Sequence, residues 1–355
     1  MRVTIKGEEQ EMKTVWFEQP EVVMIDQPKL PFEFALKRFS TYKETTDAIT
    51  TMIVRGAPAI GATAAFATAQ AVLEYKDGDF KEHMEKAAEY IKKARPTAID
   101  LAHGVDQVLS VLNQTNWDPE ASKERAVAEA ENISRNYIER CRLIGENGNK
   151  LIKDGDKILT HCNAGWLACV EWGTATAPIY MAKRAGKKNF VWVDETRPRC
   201  QGARLTAWEM SHEAIDHAVI ADNAAGHYMR KGEVNLCIVG ADRVARNGDV
   251  ANKIGTYEKA VVAKENGIPF YVAIPSNTYD YECKTGDDIP IEERDEEEVT
   301  NMWGKGGNIR IANPESKARN PAFDVTPAKY ITGYITDKGV LKANELEVIK
   351  SALSQ

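Results

Sequence analysis

The 355-residue sequence predicts an α/β protein, with a doubly wound parallel sheet in its C-terminal part and a smaller, mostly helical domain before it. Three observations carry that prediction. Short apolar runs recur after Asp156: "KILTHC", "NFVWVDE", "HAVIAD", "NLCIVGAD" and "PFYVAIP". Helical patterns lie between them, and strands alternating with helices form parallel βαβ units. Upstream of Asp156, helical periodicity dominates instead. The expected division is residues 1–120 for the helical domain and 121–355 for the sheet-bearing domain, with a long linking helix at the start of the latter.

Taken in order, residues 3–24 read as a hairpin with "KGEE" as its turn. Helices follow over 42–54, 57–75, 80–93, 100–114 and 119–153. The last shows Ala126, Ala130, Ile133 and Tyr137 at helical spacing. In the second part, near-continuous apolar runs fit strands covered on both faces, and helices are expected over 169–184, 201–212, 224–231 and 254–265. Residues 280–294 are acidic and expected to be exposed. "NMWGKGGNIRIANPESKARNP" reads as a long loop, a feature often functional in compact domains.

Composition excludes several classes. Hydrophobic residues make up 43% and charged residues 28%, an ordinary globular mixture, and the net charge of −7 gives no general footprint for nucleic acid. The apolar runs are too short to span a bilayer, and "MRVTIKGEEQEMKTVWFEQP" has no apolar core of a secretory signal. The cysteines at 141, 162, 169, 200, 237 and 283 form no CxxC pair and no Cys/His zinc spacing. A cytoplasmic protein with free thiols, no metal, and neither nucleic acid nor membrane as partner is the expectation.

In open α/β sheets, ligands bind beyond the carboxyl ends of the strands. That rule selects His161-Cys162-Asn163, the segment "DETRPRCQGAR", Asp222-Asn223 and "GADRVARNGDVANKIG" as polar strand tips, each expected to lead into a helix. Cys162 stands at the first tip; a helix starting just after it would stabilise a thiolate, the alternative being a buried structural thiol. Asp242, after "LCIVG", is placed to act as an acid or base, with partial burial raising its pKa; capping a helix is the other use of an Asp there. Asp249, Asn252 and Lys253 follow within reach of a polyhydroxylated ligand. Arg55 precedes Gly56, Ala57 and Pro58 at an expected helix start, a setting suited to phosphate, although Pro is common at any helix start. Arg95 is a second arginine at a helix end. Walker A and GxGxxG patterns are missing, which argues against ATP and dinucleotides.

The stretches "RGAPAIG", "HCNAG", "ETRPRCQGARLTAWEM" and "VGADRVARNGDVANKIGTY", with "TVWFEQP" and "NPAFDVTP" near the two ends, resemble the S-methyl-5-thioribose-1-phosphate isomerases of methionine salvage. The resemblance covers nearly the whole chain in order. It implies a helical N-terminal domain, a Rossmann-like C-terminal domain, a homodimer, and a cofactor-free conversion of an aldose 1-phosphate to a ketose 1-phosphate. It implies Cys162 and Asp242 as the catalytic pair, phosphate contacts from Arg55, Gly56, Ala57 and Arg95, and sugar contacts from Gln201, Asp242, Asn252 and Lys253. Relatives act on 5-deoxyribose 1-phosphate or ribose 1,5-bisphosphate, and others are non-catalytic subunits of a translation-factor exchange complex. The sequence departs from the family pattern at Asp100, where Asn is expected, at Trp166 and Trp172, where small residues are expected, and in a longer 302–319 segment. The two tryptophans either reshape the pocket for the sugar's C5 substituent or simply pack.

Overall fold

The computed structural model describes residues 1–5, 7–96 and 98–353. Backbone contacts divide the chain into two compact units: Met1–Cys141 together with Trp166–Gly173, and Arg142–Gly165 together with the chain from Thr174 onward. Residue 120, where the sequence suggested a division, lies at the start of a helix that spans Pro119–Asn149; the compact units part inside that helix.

The first unit opens with strands β1 (Arg2–Ile5) and β2 (Glu8–Glu11), the hairpin expected around "KGEE". The residues beyond it form a second, unforeseen antiparallel sheet, β3 (Val15–Glu18), β4 (Glu21–Ile25) and β5 (Leu36–Phe39). Helix α1 (Tyr42–Thr50) starts at a capping box in which Thr41 and Glu44 satisfy each other's backbone N–H. Helix α2 (Ala57–Glu74) carries Pro58 in its first turn and buries fifteen of its eighteen residues. Such a helix, apolar all round, belongs inside a bundle. Helix α3 (Phe80–Lys93) is capped by Asp79, whose carboxylate accepts the Glu82 N–H at 3.0 Å. Helices α4 (Ile99–Gln114) and α5 (Pro119–Asn149) complete the unit's helices close to their expected bounds.

The second unit is built on a seven-stranded sheet ordered β18-β17-β12-β9-β6-β7-β8. Its strands are β6 (Lys157–Thr160), β7 (Phe190–Asp194), β8 (Asp216–Ile220), β9 (Leu236–Val239), β12 (Phe270–Ala273), β17 (Gly333–Thr336) and β18 (Gly339–Leu341). All pairs are parallel except β17–β18. Counting from β6, the order is the 3-2-1-4-5-6 of a Rossmann-type sheet, and the direction of winding reverses between β6 and β9. Helices α6 (Ala177–Arg184), α7 (Ala207–His212), α8 (Ala225–Arg230) and α9 (Thr256–Glu265) connect the strands. A smaller sheet joins β10 (Arg243–Ala245), β11 (Val250–Lys253), β13 (Tyr279–Asp280) and β16 (Phe323–Thr326).

Several local expectations fail for physical reasons. The helix expected over 169–184 exists only as α6, because Trp166–Gly173 leave the second unit and bury in the first, where Thr14 Oγ1 donates to the Trp166 carbonyl at 2.6 Å. The helix expected over 201–212 begins as a π-helical turn, Gly202–Thr206, before α7. The expected loop contains a hairpin, β14 (Asn301–Gly304) and β15 (Gly307–Arg310), preceded by the short helix α10 (Glu297–Thr300). The acidic 280–294 segment is not uniformly exposed, since Ile289 and Gly286 are buried. Among the described residues, no helix is long and apolar enough to cross a membrane.

Candidate active site

The winding reversal places the ends of β6 and β9 side by side, and these ends carry Cys162 and Asp242. Gly240 makes the approach possible: a Cβ there would lie 2.5 Å from the Ala164 Cβ. Cys162 is half-buried with φ +66°, a left-handed conformation uncommon for a residue with a Cβ. Two threonines hold it. Its N–H donates to Thr196 Oγ1 at 2.8 Å, and its carbonyl accepts from Thr206 Oγ1 at 2.7 Å.

No α-helix starts just after Cys162: a single 3-10 turn, Trp166–Ala168, comes first and α6 only at Ala177, so the expected helix-dipole activation of its thiol is overturned. A buried polar network occupies that stretch instead. Asn163 Nδ2 donates to Thr206 Oγ1 and to Glu209 Oε1, both at 3.0 Å. The Tyr180 hydroxyl donates to Glu209 Oε2 at 2.5 Å, and the N–H groups of Thr174 and Ala175 both donate to the Ala164 carbonyl.

Asp242 likewise leads into a strand, β10, and caps no helix. Its N–H donates to the Ala251 carbonyl at 3.0 Å, and the residue itself is exposed rather than buried. Beside it, β11 ends in Asn252 and Lys253, both buried. The Lys253 ammonium donates to the Ala322 carbonyl at 2.6 Å and sits 4.5 Å over the Phe323 ring. Burial pushes the Lys253 ammonium pKa down, and Cys162 and Asp242 oppose that shift, so Lys253 is within electrostatic reach of both. Asn252 Nδ2 donates to Thr256 Oγ1 at 3.0 Å. Asp249 is structural: its carboxylate accepts from the N–H groups of Ala328 and Gly286 and from Asn247 Nδ2.

Gln201 precedes the π-helical turn and is 7% exposed, and its Oε1 is buried without a hydrogen-bond partner. A buried acceptor of this kind is costly to leave unmet and suits a ligand hydroxyl. The Gln201 loop is gripped by the 297–310 segment. Arg197 donates to the carbonyls of Glu298, Val299 and Asn301, Arg199 pairs with Glu298 at 2.7 Å, and Arg204 stacks 3.9 Å from the Trp303 ring centroid. Cys200 is half-buried in the same loop, and burial pushes its thiol up.

Arg55, Gly56, Ala57 and Arg95 belong to the first unit. Gly56 caps α2 with φ +90°, and a Cβ there would fall 2.2 Å from the Ala168 carbonyl oxygen. Arg95 follows Ala94, the cap of α3. Asp100 is buried and accepts the Tyr137 hydroxyl at 3.0 Å; burial, then Asp100 itself, push that hydroxyl pKa well up. Trp166 is fully buried in this unit and Trp172 is half-buried at φ +69°.

The sequence reading placed His161 and Asp194 at polar strand tips but gave no role to them or to Lys259 and Glu209, all buried around Cys162. Only their occurrence beside strand-end motifs could have flagged them. His161, Asp194 and Asp222 bring ligand-type atoms within 4.8 Å of one another. Both His161 nitrogens and both Asp222 oxygens have protein partners, and the Lys259 ammonium 3.7 Å from Asp194 supplies the positive charge. That donor set does not fit a metal cation.

Fold and site together describe a Rossmann-type protein with a thiol and a carboxylate at its switch point. Residues 53–343 match the initiation factor 2 subunit family, and the chain belongs to that family. Within it, the chain is similar to the methylthioribose-1-phosphate isomerases of Thermotoga neapolitana, 50% identical over 93% of this chain and 95% of that one, and of Methylorubrum extorquens, 48% identical over 91% of each. The solved structure of 5-methylthioribose 1-phosphate isomerase from Pyrococcus horikoshii covers 97% of both chains at TM-score 0.90 and 43% identity. A structure from A. fulgidus titled translation initiation factor eIF-2B, subunit delta, matches 96% of this chain and 100% of its own at TM-score 0.86 and 41% identity.

Proposed function

We propose that this chain isomerises S-methyl-5-thioribose 1-phosphate to S-methyl-5-thioribulose 1-phosphate, a step of methionine salvage. Relatives 45–50% identical over more than nine tenths of the chain carry that activity in their names. The reading of Cys162 and Asp242 as the reacting pair is supported by their places just beyond β6 and β9, the two strands that flank the winding reversal. A non-catalytic subunit, or an isomerase of other 5-substituted ribose phosphates, is the less favoured reading.

The substrate's C1 oxygen carries phosphate, so the ring opens only if its own oxygen is protonated. Asp242 donates that proton as the bond from C1 to the ring oxygen breaks, leaving positive charge shared by C1 and the phosphate ester oxygen. Cys162, as thiolate, removes the proton from C2, and the C2–H electron pair forms the C1–C2 double bond of an enol. The C2 hydroxyl then returns its proton to Asp242 as the C2 carbonyl forms, and the Cys162 thiol delivers a proton to C1. Both groups end as they began, and no electrons leave the substrate, so the balance needs no redox cofactor. Lys253, within electrostatic reach of Cys162, stabilises its thiolate form. Asn252 and the unmet Gln201 acceptor bind sugar hydroxyls, and Arg55, with the backbone of Gly56 and Ala57, and Arg95 bind the phosphate. The protein acts in the cytoplasm as a homodimer.

Turnover of 5-methylthioribose 1-phosphate tests this directly. Cys162→Ala and Asp242→Asn are each expected to lower kcat by about 10²–10⁴-fold. Absence of ketose product from the wild type would refute the activity, and full activity in both variants would refute the residue assignment. Alkylation offers a second check. Cys141, Cys169 and Cys237 are buried, and burial pushes the Cys200 and Cys283 thiols up. Iodoacetamide is therefore expected to modify Cys162 first, with substrate protecting it, as mapped by peptide mass spectrometry.

A further inference from the structure

We infer that His161 is a positioning residue: a buried strut, oriented by Asp194, that fixes the Cys162 strand end against the turn carrying Asn252 and Lys253. The inference rests on the reading of Cys162 as the reacting thiol. His161 immediately precedes Cys162 and is 1% exposed. Its Nε2 lies 2.8 Å from the Ile254 carbonyl, and Ile254 immediately follows Lys253. A carbonyl only accepts, so Nε2 carries the hydrogen and donates it there. Its Nδ1 lies 2.9 Å from Asp194 Oδ2 at the end of β7, and the Lys259 ammonium of α9 reaches the same oxygen at 3.7 Å.

The topology explains why a strut is needed. Strands β6 and β11 belong to different sheets, and no ladder of backbone hydrogen bonds joins them. The thiol is thus carried by one sheet, and the amide and ammonium that meet the substrate by another. The His161 imidazole ties the two strand ends directly, spanning from one residue before Cys162 to one residue after Lys253. Gly255 leaves it room, since a Cβ there would stand 3.1 Å from His161 Cε1. Asp194 fixes the ring about its remaining degree of freedom, as an orienting carboxylate does for a histidine elsewhere.

Two substitutions separate the two halves of the ring. His161→Gln places an amide nitrogen near the position of Nε2 and keeps the bond to Ile254 while giving up Asp194. His161→Asn keeps a donor near the position of Nδ1 but cannot reach Ile254. In the full-length enzyme with 5-methylthioribose 1-phosphate, His161→Gln is expected to keep kcat within about fivefold of wild type. His161→Asn is expected to lose about 100-fold in kcat with KM changed less than about threefold, the penalty for small misplacement of reacting groups. Asp194→Asn, which still hydrogen-bonds the ring, is expected to keep at least about a third of kcat, and serves if His161→Asn does not fold. Equal kcat losses in the Gln and Asn variants, a KM rise matching the kcat loss, or an Asp194→Asn variant as impaired as His161→Asn would overturn the strut. Cys162→Ala run alongside separates the two claims: if it keeps full activity, the thiol assignment fails whatever His161 does.

Discussion

The two units bury polar atoms in opposite ways. In the first, buried polar side chains are mostly neutral and satisfied within the unit: Thr63 and Thr68 donate to the carbonyls of Ala59 and Ala64, one turn back on α2, and Gln70 donates to the carbonyls of Pro20 and Phe39. In the second, Asp194, Glu209, Lys253 and Lys259 are all buried, clustered around the strand ends. Neutral, hydrogen-bonded groups cost little to bury, whereas charges cost several kcal/mol unless paired. The first unit is therefore a stable apolar scaffold, and the second concentrates unfavourable burial where chemistry occurs.

The contrast is best broken first in the scaffold. Phe66 is 2% exposed at the middle of α2, stacked 5.7 Å from Phe17. Phe66→Ala is expected to cost about 3–5 kcal/mol in chemical denaturation, with kcat of the folded enzyme unchanged. A parallel loss of kcat would mean that the scaffold shapes the chemistry after all.

Lys253→Met probes the other side. Turnover is expected to fall about 10²–10³-fold, while the melting temperature rises. The sign follows from burial, which holds the Lys253 pKa below its ordinary value. The folded wild type then binds fewer protons at this site than the unfolded chain, so wild-type stability grows as pH rises toward the ordinary lysine range. The advantage of the Met variant is therefore largest near neutrality and shrinks in alkaline buffer. A lower melting temperature for Lys253→Met at neutral pH would contradict the idea that this ammonium is buried at a cost.

The smallest expected effect lies in the hairpin. Trp303 stacks on Arg204, a contact worth about 0.5–1 kcal/mol at a partly exposed site. If that stack steadies the Gln201 loop, Trp303→Ala raises KM about two- to fivefold and leaves kcat alone; an unchanged KM confines the stack to local packing.

Much of this was legible in the sequence because local signals agreed with the fold. The helical pattern over 80–93 placed α3 at its observed bounds, and the structure adds Asp79 as its cap. Apolar runs located the main parallel strands, and their polar ends picked out Cys162 and Asp242. What failed depended on distant partners. Residues 169–173 have helix-compatible composition, but their neighbours are in the first unit, where the Val170 carbonyl accepts the Thr14 N–H at 3.0 Å. The β14–β15 hairpin was hidden by its glycines, although "GKGG" between Met302-Trp303 and Asn308-Ile309 is a turn signal. Asp194 and Glu209 lie in stretches the sequence singled out, but their roles were not legible, because those rest on which side chains they meet.

The short excursion of Trp166–Gly173 has a genetic consequence. These eight residues are encoded within the second unit's stretch of the gene, yet they complete the core of the first, with Val170 in its apolar cluster and Glu171 paired to the Met1 amino group. Neither unit is therefore a cassette. A gene split or chimaera joined inside α5 would part residues 1–141 from their own inserted segment. A chimaera of diverged relatives joined inside α5 is therefore expected to lose first-unit stability unless residues 166–173 come from the same parent as residues 1–141.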